Sequence, residues 1–153
     1  RRSERFESWV YERIVDLKFT GRTFGNLPRN RIETMGDPEL QRMATSYGLP
    51  QIMGYHCLDL GCSADDLRGE YHLQWAVVYM MRHYGERAKS RDWSACFRIH
   101  NTGHPRGTPG RRDYVERGIA RMFYYSRWKE RSGQYRLPGN EDSKAIPGAA
   151  VAP

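Results

Sequence analysis

Leu67-Arg68-Gly69-Glu70-Tyr71-His72-Leu73-Gln74-Trp75-Ala76-Val77-Val78-Tyr79-Met80-Met81-Arg82-His83-Tyr84-Gly85 holds the longest strongly apolar run of the chain, Trp75 to Met81. Leu67, Tyr71, Val77, Val78, Met81 and Tyr84 carry helical spacing, and Leu73, Trp75 and Met80 are apolar too. Few sides of such a helix are left for water, so the stretch reads as a central, mostly buried helix ending at Gly85. Ser63-Ala64-Asp65-Asp66 just before it has the form of a capping box, with an acid three residues after the serine.

The segments on either side are also helical. Asp92 can cap a short helix through Trp93, Cys96, Phe97 and Ile99. A polar Gly/Pro segment follows from His100 to Gly110. A last helix is expected from about Arg112 to Trp128, with Tyr114, Val115, Ile119, Met122 and Phe123 facing inward. Toward the N-terminus, Asp37-Pro38 reads as an N-cap with proline at the first helical position, opening a helix through Leu40 and Met43 to about Ala44. A first helix starts at Ser8 or a neighbour, aligns Trp9, Val10, Ile14 and Leu17 on one face, and stops near Thr20-Gly21. Residues 20–36 read as loop, broken by Gly21, Gly25, Pro28 and Gly36. No strand stands out, and short extended segments are allowed only around 22–34. The fold class is therefore mostly α. Residues 1–130 are expected as the folded domain. From 131 to 153, Gly, Pro, Ala, Ser and charges replace the periodic pattern, so a flexible tail or linker is expected.

The 153 residues suffice for one buried core. Seven apolar residues in a row are far too few to span a bilayer. Lys and Arg number 25 against 18 Asp and Glu, for a net charge of +7. A pI near 9.5 favours anionic partners: nucleic acid, acidic polysaccharide or cell-wall polymer. Three cysteines, Cys57, Cys62 and Cys96, are not a disulfide framework, although Cys57 and Cys62 could close one short loop. Four ligands at zinc-type spacing are absent, and the adjacent His56 and Cys57 are poorly placed to converge on one ion. No metal and no cofactor is expected. The chain begins at Arg1 with no signal peptide in view, and it reads as a cut through something longer.

Four segments could carry chemistry. In Ser46-Tyr47-Gly48-Leu49-Pro50-Gln51-Ile52-Met53-Gly54, two glycines frame a tight turn into a short buried stretch. Gln51 there either satisfies a buried loop or reads a ligand. Ile99-His100-Asn101-Thr102-Gly103 has the ingredients of a helix C-terminal turn, and His100 could titrate near neutral pH. In Arg5-Phe6-Glu7-Ser8-Trp9, Glu7 either favours the positive end of a helix or is a carboxyl held against aromatic surface, a usable general acid. From Pro105 to Arg136, nine basic residues interleave with Tyr114, Tyr124, Tyr125, Trp128 and Tyr135. That pattern suits stacking on sugars or bases, and equally a solvated helix face.

Gly48-Leu49-Pro50-Gln51-Ile52-Met53-Gly54, preceded by Ala44-Thr45-Ser46-Tyr47, resembles the Gly-Leu-x-Gln-Ile-Met signature of the goose-type lysozyme and lytic transglycosylase superfamily, in its bacterial and phage forms. His100-Asn101-Thr102-Gly103 is similar to that family's downstream Tyr-Asn-x-Gly motif. Asp113-Tyr114-Val115 resembles the Tyr-Val that opens its final helix. The likeness covers about residues 5–128. It implies a lysozyme-like helical domain that cleaves the β-1,4 bond between N-acetylmuramic acid and N-acetylglucosamine in peptidoglycan. It further implies that Tyr47, Gly48, Gln51, Ile52 and Met53 line a sugar cleft, with His100, Asn101, Gly103 and Tyr114 facing it. Pro50 and His100 depart from the family's usual residues, and His100 puts one ring contact in question.

The resemblance also implies a single catalytic glutamate, for which three assignments stand open. Glu7-Ser8 matches the family's Glu-Ser pair, but lies far ahead of Gly48 with no apolar helix before it. Alternatively, Arg5-Phe6-Glu7 and Val10-Tyr11 match a segment that follows that pair in longer members, and the acid then lies upstream of Arg1, along with an N-terminal helix. Glu33 is the third. A lytic transglycosylase needs only one such acid, because the muramyl C6 hydroxyl captures the sugar carbon. A hydrolase usually wants a second to orient water, and Glu33, Asp37 and Asp59 fall in no motif. Transglycosylase is accordingly placed ahead of muramidase, and a wall-binding relative without activity ahead of a nucleic-acid module. The expected setting is the cell envelope (periplasm or outside the cell) or delivery by a phage, with the protein acting as a monomer on glycan strands.

Overall fold

The computed structural model describes residues 4–132. The chain is mostly helical, with one small sheet, and forms two compact units, Arg1–Arg82 and His83–Pro153. In the first unit the order is β1 (Glu4–Phe6), α1 (Ser8–Thr20), α2 (Asp37–Met43), β2 (Thr45–Tyr47), β3 (Ile52–Met53), α3 (Cys57–Leu60) and α4 (Ala64–Arg68). Helix α5 (His72–Lys89) begins there and continues into the second unit, which holds α6 (Trp93–Thr102) and α7 (Tyr114–Ser132). No described helix is long and apolar enough to cross a membrane. The tail expected from 131 onward lies outside the described residues, apart from the last two residues of α7.

The core of the first unit forms where α1 packs on α2. Val10, Ile14 and Leu17 meet Leu40, Met43 and Ala44, and Ile32 closes the group. Helix α1 buries Val10, Ile14 and Leu17 as their spacing predicts, but Trp9, expected on the same face, is 59% exposed. The helix ends as expected: Gly21 adopts a left-handed φ of 76° and its N–H donates to the Leu17 carbonyl at 3.1 Å. The 21–36 segment contains a short 3-10 turn at Arg29–Arg31, and the fully buried Ile32 anchors it. Helix α2 starts one residue earlier than the Asp37 cap predicts. Gly36 is the N-cap, and its N–H donates to Glu39 Oε2 at 2.6 Å. The Ser63 capping box forms as read: the Asp66 N–H donates to Ser63 Oγ, and the Ser63 N–H to Asp66 Oδ2 at 2.8 Å.

Three expectations are corrected. The chain does contain strands, and they lie outside 22–34. β1, β2 and β3 form an antiparallel sheet in that order, with Phe6 opposite Thr45 and Tyr47 opposite Ile52. The stretch from 67 to 85 is not one buried helix. Gly69 ends α4, α5 starts at His72, and Tyr84 (φ −148°, ψ 23°) breaks the helical backbone. Trp75, Ala76 and Tyr79 are buried, but Leu73, Val77 and Met81 lie on an exposed face. Phe123, expected to face inward, is half exposed, whereas Val115 is buried.

In the second unit α6 packs on α7. Asp92 caps α6 by accepting the Ala95 N–H at 3.1 Å, as its position predicts. Phe97 lies edge-on to Tyr114, with ring centres 6.3 Å apart, and rests on Gly118 of α7. A Cβ at Gly118 would sit 2.6 Å from the Phe97 ring, so the absence of a side chain there is what lets the ring seat itself.

Candidate functional site

The Gly48–Gly54 segment is a hairpin. Gly48, Leu49, Pro50 and Gln51 connect the paired Tyr47 and Ile52. Gly48 has a φ of 69°, and a Cβ on it would lie 2.6 Å from the Leu67 carbonyl oxygen. At Gly54 a Cβ would lie 2.1 Å from the Arg42 carbonyl oxygen. The first glycine therefore answers both to a left-handed turn and to a close approach, the second to a close approach alone. Leu49, 71% exposed, is the tip.

Gln51 is half-buried and turns back into its own loop. Its backbone is left-handed at φ 55°, uncommon for a side chain of this size. Its Nε2 donates to the Gly48 carbonyl at 2.8 Å, and its Oε1 accepts from the buried Ser46 hydroxyl at 3.0 Å. The same hydroxyl lies 3.3 Å from the Arg5 carbonyl on β1. Ser46 and Gln51 thus tie the turn to the outer strand by side-chain hydrogen bonds. Removing the amide leaves the buried Ser46 hydroxyl without its nearest acceptor and the turn without its brace. Gln51→Ala is expected to cost about 1–3 kcal/mol of folding free energy, seen as a lower urea midpoint with unchanged slope.

Glu7 follows β1 and is the N-cap residue of α1, through its backbone and not its side chain. Its N–H donates to the Ala44 carbonyl at 2.9 Å, and its own carbonyl accepts from the Val10 and Tyr11 N–H groups. The carboxylate, only 18% exposed, pairs with Arg5 at 3.0 Å. Glu33 is exposed and pairs with Arg29 at 3.5 Å.

A cleft of about 730 Å³ opens in the first unit. Glu4, Phe6, Arg42, Tyr47, Asp65 and Arg68 are among its walls. Arg68 joins two of the acids, holding Glu4 at 3.0 Å and also pairing with Asp65. Glu39, a further wall residue, is the acid that caps Gly36. Tyr47 is buried and donates its hydroxyl proton to the Arg42 carbonyl at 3.1 Å; burial raises its phenol pKa, so it stays a neutral donor.

Of the residues the resemblance implies, Glu7, Tyr47, Gly48, Gln51, Ile52 and Met53 meet on or beside one sheet. Among those, Tyr47 lines the cleft, while Glu7 and Gln51 are not among its lining residues. His100, Asn101, Gly103 and Tyr114 belong to the second unit. There Gly103 (φ 76°) closes α6 by donating to the Ile99 carbonyl at 2.8 Å, an ordinary C-terminal turn. Asn101 is exposed, His100 stands edge-on to Tyr84 with ring centres 6.3 Å apart, and burial raises the Tyr114 phenol pKa.

Compared with protein-family models, curated proteins and solved structures, the chain finds no match. Sequence reading passed over Ser46, Glu4 and Arg68. Ser46 lies five positions before Gln51, and nothing in local sequence marks its hydroxyl as the partner of that amide. The Glu4–Arg68 pair spans 64 positions and has no signal in local sequence.

Proposed function

We propose that this chain acts on peptidoglycan as a glycosidase related to goose-type lysozymes and lytic transglycosylases. The observation that carries this reading is the Gly48–Gly54 hairpin. Its two glycines are demanded by backbone clearance, and its glutamine braces the turn, so the Gly-Leu-x-Gln-Ile-Met spacing has a definite structural use here. A cleft next to the same sheet, within the ~300–1,000 Å³ range of ligand sites, adds support. In the proposed reaction one carboxylic acid protonates the glycosidic oxygen between N-acetylmuramic acid and N-acetylglucosamine as the bond breaks. The resulting carboxylate then takes the proton of the muramyl C6 hydroxyl, which closes on C1 to form an anhydro end. Glu7 is the provisional acid within the chain.

The test is digestion of purified peptidoglycan followed by analysis of the released ends. Anhydromuramic ends are expected. Free reducing ends would make the protein a hydrolytic muramidase. A second reading, a wall-binding relative without turnover, is favoured by one observation: Glu4, Glu39 and Asp65 in the cleft are each already engaged by a guanidinium or a backbone N–H. Pull-down with peptidoglycan and no released fragments, even after a glutamate-bearing segment is joined ahead of Arg1, supports that reading. The proposed setting is the cell envelope, or delivery there by a phage.

A further inference from the structure

Cys57 and Cys62 stand at the two ends of one closed turn. Helix α3 is a single turn, Cys57–Leu60, and Gly61 ends it in the left-handed region at φ 74°. The Gly61 N–H donates to the Cys57 carbonyl at 2.9 Å, and the Cys62 N–H to the same oxygen at 3.3 Å. The second of these bonds is the six-to-one closure that brings the side chains of its two end residues together. Here both end residues are cysteines with free thiols. Gly61 meets nothing within 4 Å of its Cβ direction, so the turn is not wedged from outside. Both cysteines are half-buried, and Cys57 is one of the residues lining the cleft. Cys96, in the second unit, is buried.

The geometry points to Cys57 and Cys62 as a redox-active dithiol that closes to an intramolecular disulfide by exchange with a small-molecule disulfide of the glutathione type. This inference is independent of the action on peptidoglycan. One of the two cysteines attacks, as its thiolate, one sulfur of the oxidant, forming a mixed disulfide and releasing one thiolate. The other cysteine then gives its proton to solvent and attacks the protein sulfur of that mixed disulfide, and the second thiolate leaves. Two protein thiols are oxidised to one disulfide while the oxidant's disulfide is reduced to two thiols.

The whole chain is equilibrated in glutathione buffers from fully reduced to fully oxidised, quenched in acid, alkylated and mapped by mass. The expected result is a single oxidised species two hydrogens lighter, with residues 57 and 62 joined and Cys96 still alkylated. Cys57→Ser and Cys62→Ser are each expected to stop at a stable glutathione adduct on the cysteine that remains. The inference is overturned if Cys57 and Cys62 of the unaltered chain remain separately alkylated in the most oxidising buffer, or if the bridges that form involve Cys96 or a second molecule. Because the first readout uses the unaltered chain, a variant that fails to fold does not blunt the test.

Discussion

Gly54→Ala is expected to remove most of the folded protein. An added Cβ would stand 2.1 Å from the Arg42 carbonyl oxygen, 3.0 Å from its carbon and 3.1 Å from the Met43 Cα. All three atoms are backbone, so no rotamer change clears the clash. Either the last turn of α2 or the strand leaving Ile52 and Met53 has to move. Moving α2 disturbs the Arg42 carbonyl, which accepts from the Ala44 N–H and from the Tyr47 hydroxyl. It also shifts Leu40, Met43 and Ala44 in the core. Overpacking ordinarily costs about 1–3 kcal/mol where side chains can give way. With backbone on both sides we expect at least about 4 kcal/mol, against a total of ~5–15 kcal/mol for a domain of this kind. Soluble yield and urea denaturation read the effect. Gly61→Ala is the control: its left-handed φ is strained for alanine, but the space around it is open, so about 1 kcal/mol is expected. If Gly54→Ala melts like the control, α2 and the hairpin are not in the close contact described.

That contact shows where local sequence stops being informative. Helix α1 could be read to within a residue because its apolar stripe, its breaker and its end all lie within fourteen residues of each other. The capping residues Ser63 and Asp92 were legible for the same reason: donor and acceptor sit three residues apart. The sheet was not. Strands of two or three residues show no period-two pattern, and the pairing of Arg5 with Ser46 joins positions 41 apart. The apolar run of α5 misled differently. Composition states how much apolar surface a helix has, and not which side its neighbours cover, so Val77 reads like Ala76 although one is 53% exposed and the other buried. No proline announces the break at Tyr84 either. At the candidate site, the glycines of the hairpin were legible as turn or close-approach positions, whereas which backbone each approaches, Leu67 or Arg42, was not.

Glu7→Gln separates the three assignments of the catalytic acid, and its expected effect on turnover is the largest of any change proposed. The backbone of residue 7 does the structural work. It pairs with Ala44 and receives the first N–H groups of α1, and glutamine can do both. What is lost is the ion pair with Arg5, whose side chain is largely exposed, so the change in stability should stay within about 1 kcal/mol. The two side chains are nearly isosteric, and wall binding should persist. An amide cannot deliver a proton to a glycosidic oxygen, and loss of general acid catalysis is ordinarily worth ~10²–10⁴-fold in rate. With Glu7 as the acid, lysis by the variant should therefore fall to background while the folded, wall-bound fraction stays at the level of the unaltered chain. Lysis that survives in Glu7→Gln excludes Glu7 and directs the same substitution to Glu33. That residue sits beside a 3-10 turn and pairs, among the described residues, with the exposed Arg29, so its removal should also leave the fold intact. A chain that binds the wall but never lyses it, before any substitution, points instead to an acid supplied from ahead of Arg1; joining a segment that carries a glutamate to the N-terminus should then restore lysis, and replacing that glutamate by glutamine should remove it again.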